Sequence, residues 1–63
     1  MLSKFEMIRL LFEVYKGNTA IGYENSAELY FAGLAAFQKD SRGEFHYTVT
    51  EKGLELLRRA GLI

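Results

Sequence analysis

The sequence predicts a small α+β domain in the order helix, short strand, helix, β-hairpin, helix. Three observations carry that expectation. Ser3 and Glu6 stand at the Ser-x-x-Glu spacing of a helix start, ahead of apolar residues that recur every three to four positions. Phe45 to Thr50 alternates between apolar and polar, behind a polar segment that closes on Gly43. Thr50 then precedes a run with an acid at its start, Glu51, and two cations at its end, Arg58 and Arg59.

Length and composition bound what such a chain can be. Its 63 residues suffice for one domain, 1–63, and 49% of them are apolar, an ordinary globular fraction. A chain this short hides only ~60% of its unfolded surface, so one small core worth roughly 3–5 kcal/mol is expected. There is no cysteine, hence no disulfide or thiolate chemistry, and the one histidine, His46, does not make a zinc site alone. Eight basic and eight acidic residues cancel, which excludes a strongly polycationic tail. Lys4, Glu6 and Arg9 interrupt the first ten residues, unlike the apolar stretch of a signal peptide. No apolar run approaches the ~20 residues that span a bilayer. A cytoplasmic protein with no membrane, metal or cofactor partner is the expectation.

The first helix is expected over residues 3–16. Leu2 and Met7 flank its cap at staple positions. Phe5, Ile8, Phe12 and Tyr15 make one apolar row, and Met7, Leu11 and Val14 another, so the helix is expected to touch more than one neighbour. Arg9 and Glu13 are spaced to pair, and Gly17-Asn18 is a natural stop. Over residues 18–25, Thr19, Ile21 and Tyr23 alternate, which allows a short edge strand, although Gly22 weakens it. Asn25 and Glu28 repeat the cap spacing, so a second helix is expected from about Ser26 to Ala32, ended by Gly33. Leu34 to Gln38 and Glu44 to Thr50 are the arms of the hairpin, with Lys39 to Gly43 as its tip. Phe45, Tyr47 and Val49 are expected to face the core. Thr50 caps the last helix, Glu51 to about Ala60, and Gly61 ends it, leaving Leu62 and Ile63 as an apolar tail.

The stretch from Gly33 to Leu57 resembles the wing region of winged-helix proteins. Gly33-Leu34 stands where a helix ends in that family, Lys39 to Gly43 makes the charged loop, and Tyr47-Thr48-Val49-Thr50-Glu51-Lys52-Gly53-Leu54 resembles the family's strand-to-helix passage. The likeness covers about 25 of the 63 residues, with Val49 where leucine is commoner. It implies a reduced winged-helix domain, because only two helices fit ahead of the wing where the family has three. The family reads the DNA major groove with its third helix. The corresponding segment here, residues 25–32, carries Glu28 and no Arg or Lys. The resemblance implies a DNA-binding or transcription-regulatory accessory protein; in size and style, not by motif, the chain resembles the small stand-alone accessory proteins of bacteria and their phages.

Two surfaces are candidates for function. For double-stranded DNA, Lys39, Ser41 and Arg42 at the hairpin tip are suited to phosphate oxygens, with Asn25, Ser26 and Tyr30 beside them on the second helix. A charged tip is also the ordinary composition of an exposed turn, and Asn25 or Ser26 serves equally as a helix cap. Lys52, Arg58 and Arg59 form a weaker basic group, diluted by Glu51 and Glu55. The alternative is a protein-binding or homodimerisation module. Five Phe and four Tyr are too many for one core of this size, so Tyr15, Tyr23 and Phe31, with Tyr30, Leu62 and Ile63, are candidates for an exposed contact patch. His46 is expected to be a solvated strand residue. No nucleophile with a positioned base, phosphate loop or carboxylate pair stands out, so no enzyme activity is expected.

Overall fold

In a computed structural model, residues 2–18 and 20–63 are described. They form three helices, α1 (Lys4–Tyr15), α2 (Tyr23–Phe31) and α3 (Glu51–Arg59), and an antiparallel hairpin of β1 (Ala35–Lys39) and β2 (Phe45–Val49). α1 packs on α2, α3 and β2, while α2 lies against β1. Leu11, Val14, Ile21, Leu29, Leu34, Ala35 and Leu57 are the buried centre where these elements meet.

α1 begins as its sequence requires. Ser3 Oγ accepts from the Glu6 N–H at 3.2 Å, and the Glu6 carboxylate accepts from the Ser3 N–H at 3.3 Å. Arg9 is not the ion partner of Glu13. The Asn18 amide and then Lys16, 3.3 Å away, hold the Glu13 carboxyl below its ordinary range. Each helix stops in the same way, with the N–H groups of two residues beyond the cap turning back onto carbonyls of the last turn. At α2 these donors are Gly33 and Leu34, bonding Tyr30 and Leu29, and Gly33 takes φ 76°, where a Cβ would be strained.

α2 starts three residues earlier than its cap spacing suggests. Gly22, at φ 91°, occupies the N-cap, and Asn25 and Ser26 are already inside the helix. Their side chains point backward: Asn25 Nδ2 donates to the Ile21 carbonyl at 2.7 Å and Ser26 Oγ to the Gly22 carbonyl at 2.9 Å. Groups that donate backward do not cap the N–H groups ahead of them. Of the expected edge strand over 18–25, Thr19 lies outside the described residues. Ile21 is buried in the core ahead of α2, and the sheet among the described residues holds β1 and β2 alone.

The hairpin register pairs Ala35 with Val49, Phe37 with Tyr47 and Lys39 with Phe45 on the inner face. Ala36 with Thr48 and Gln38 with His46 lie on the outer face. The inner alternation is as expected, but burial fades along it. Ala35 is buried, Val49 and Tyr47 are half-buried, and Phe45 is exposed. The helices cover only the end of the hairpin next to α3.

At that end, three residues, Thr50, Lys52 and Gly53, tie α3 to the α2–β1 corner. Thr50 Oγ1 accepts from the Gly53 N–H at 3.1 Å and donates to the Gly33 carbonyl at 2.6 Å. Lys52 Nζ donates to the Ala32 carbonyl at 3.0 Å, so it caps the negative end of α2. Gly53 packs against the Leu34 carbonyl so closely that a Cβ there would overlap its oxygen, and would lie 2.7 Å from Val49 Cγ1. The segment from Thr50 to Gly53 thus holds α3 against the α2–β1 corner.

Candidate interaction surfaces

Beyond the covered end, the hairpin's inner face carries aromatic rings. Phe37 is their centre. Its ring centroid lies 5.2 Å from that of Tyr30, 5.9 Å from Phe45 and 5.7 Å from Tyr47, and Tyr30 in turn meets Phe31 at 5.5 Å. The tilted and edge-on angles are those that ring quadrupoles favour. The result is a continuous strip from the end of α2 across β1 to β2. Beside it, Ala20, Gly22, Tyr23 and Ser26 close a cleft of about 360 Å³ against Phe37, Phe45 and Tyr47. Its polar feature is the buried Ser26 hydroxyl, 3.3 Å from the Tyr47 hydroxyl.

This strip gathers only part of the aromatic set named from the sequence. Tyr30 and Phe31 belong to it, and Tyr23 lines the cleft beside it. Tyr15 does neither: it stacks on Phe12 at the end of α1, with centroids 6.4 Å apart. Leu62 and Ile63 are exposed beyond α3, where the Leu62 N–H returns to the Leu57 carbonyl. Phe37, Phe45 and Tyr47 were missing from the sequence-based set because alternation shows which face they share, not how far a neighbour covers that face.

The hairpin tip is the second surface. Lys39, Ser41 and Arg42 are exposed there. The Lys39 ammonium stands 6.0 Å from the Phe45 ring centroid, at the rim of the cleft. Asp40 organises the loop. One carboxylate oxygen accepts from the Arg42 and Glu44 N–H groups at 2.8 and 2.9 Å, and the other meets His46 Nε2 at 2.8 Å. His46, then the Glu44 N–H, hold the Asp40 carboxyl below its ordinary range. The sequence reading left His46 without a partner because the two residues are six apart and only the returning strand brings them together.

Of the second-helix residues named for DNA, Asn25 and Ser26 spend their donors on backbone carbonyls within the chain, and Tyr30 lies in the aromatic strip. The basic group on α3 is dispersed. Lys52 is bound to α2, and Arg59 pairs with Glu55 at 3.4 Å on an exposed helix face. Among the described residues, no cluster of three His, Cys, Asp or Glu side chains is arranged to hold a metal ion, and no helix is long and apolar enough to cross a membrane. No family model, curated protein or solved structure matches the chain at a significant level.

Proposed function

We propose that this chain is a protein-interaction domain on a reduced winged-helix-type scaffold, and that the aromatic strip is its contact surface. The observation that carries the proposal is the unbroken ring contact from Phe31 through Tyr30 and Phe37 to Phe45, open to solvent beside a cleft. Aromatic side chains supply most of the energy of such surfaces, and contiguous apolar patches are uncommon on monomeric proteins without a partner. Exposed Glu24 on α2 weighs in the same direction, because a carboxylate is repelled by phosphates.

DNA contact through the tip is the second reading. It is favoured by the exposure of Lys39, Ser41 and Arg42 on one projecting loop. Two experiments separate the readings. A photoreactive phenylalanine analogue placed at position 31 is expected to crosslink to a discrete protein product, whereas the same group at Phe5 on α1 is not. Equal labelling from both positions removes the strip as the contact surface. Titration of labelled duplex at two salt concentrations is expected to show no binding that depends on the tip. Binding that weakens in the Lys39→Ala, Arg42→Ala double variant, with its log–log salt slope flattened by about 0.9 per lost contact, would transfer the function to the tip.

A further inference from the structure

We propose that the partner covering the strip is a second copy of this chain, related by a two-fold axis that sets the two α2 helices antiparallel. The inference rests on the protein-interaction reading above and names its partner.

The α2 sequence already prepares such a face. At 100° per residue, Tyr23, Ala27, Tyr30 and Phe31 fall within about 100° of arc, and small Ala27 sits between the large rings. Tyr23 and Phe31 are eight residues apart, which is about 12 Å along the axis. An antiparallel pairing brings the Phe31 end of one helix to the Tyr23 end of the other, beside the other copy's cleft. Ridge and cleft belong to the same chain, so a two-fold satisfies both twice and closes without leaving a free end.

The area fits. Tyr23, Tyr30, Phe31 and Phe45 are 83%, 50%, 84% and 50% exposed. Taking about 200 Å² per aromatic side chain, these four alone present roughly 500 Å². A specific interface needs roughly 1,000 Å² in total, or half of that from each copy. Eight cations and eight anions leave two copies without net repulsion at long range. Small domains without disulfides or metals often draw their missing stability from oligomerisation.

Sedimentation velocity from about 10 μM to about 1 mM tests the proposal. The parent chain is expected to pass from monomer to dimer across that range and to stop there. Phe31→Ser and Tyr23→Ser are each expected to weaken dimerisation by at least about tenfold, as for loss of a buried aromatic anchor. Phe5→Ser is the control, since Phe5 is 86% exposed but lies on α1 away from the strip. Circular dichroism is expected to show all three variants folded, because none of these rings is in the core. A parent chain still monomeric at the highest concentration overturns the dimer. So does growth beyond the dimer, or a Phe5→Ser loss equal to that of Phe31→Ser. A monomer that nonetheless crosslinks from position 31 to a different protein overturns only the self-pairing. A monomer with no such crosslink overturns the interaction reading as well.

Discussion

The two ends of the hairpin share one ladder and one alternation, yet they have opposite surroundings. At the end next to α3, Ala35 is buried, Val49 is half-buried, Thr50 and Lys52 donate to carbonyls of the α2–β1 corner, and Gly53 packs against the Leu34 carbonyl. Toward the tip, half-buried Phe37 and Tyr47 lead the same inner face out to exposed Phe45. One end of a single element is therefore tied into the fold while the other leaves its rings at the surface. Changes at the covered end are expected to act on folding, and changes at the open end on association.

The largest effect is expected at Gly53. Replacing a helical glycine by alanine normally helps a helix by up to about 1 kcal/mol. Here the new methyl group meets the Leu34 carbonyl and Val49 Cγ1, and overpacking of this kind costs roughly 1–3 kcal/mol. Gly53→Ala is thus expected to lose a large share of the ~3–5 kcal/mol available to so small a domain, visible as a collapsed urea midpoint. A midpoint at or above the parent's would show that the corner yields easily, and the contrast between the two ends would fail.

Thr50→Ala comes next. It removes a helix cap and also the donor to the Gly33 carbonyl, so a loss of about 1–2 kcal/mol is expected. Thr50→Ser keeps both bonds and is expected to recover most of it in the same denaturation experiment. Equal losses in the two variants would mean that the threonine methyl, not the hydroxyl, holds the corner.

At the open end, Tyr23→Ser and Phe31→Ser are expected to change monomer stability by no more than about 0.5 kcal/mol, the usual range for surface positions. Denaturation at a concentration below dimerisation measures this. A loss comparable to that of Thr50→Ala would show that the strip belongs to the fold.

The smallest effect is local to the tip. The Asp40 carboxyl is held below its ordinary value, first by His46 and then by the Glu44 N–H. A depressed folded value means that its contribution is present above the unfolded value, ~3.9, and is lost as pH falls through the folded one. Amide resonances of Arg42 and Glu44 are expected to report that loss at a pH below the ordinary carboxylate range. His46→Ala is expected to move their midpoint upward toward it. An unmoved midpoint would assign the effect to the backbone donors alone.

Much of this architecture was legible in the residues because much of it is local. The Ser3–Glu6 box, the Thr50 cap, the helix stops at Gly17, Gly33 and Gly61 and the alternation from Phe45 to Val49 each depend on groups within about five positions of one another. The start of α2 was misplaced because Asn25 and Ser26 offer the same atoms for capping ahead and for bonding behind. Gly22, free to take a positive φ, decided between the two.

What lay beyond local reading involves residues far apart in the chain. Thr50 reaches Gly33, Lys52 reaches Ala32, and Ser26 meets Tyr47, across separations of 17, 20 and 21 residues. The alternation told which rings share a face. How far the helices extend over that face, and so which rings are core and which are surface, followed only from packing. Side-chain direction is a property of the strand's own backbone, whereas burial is a property of whatever the rest of the chain places against it.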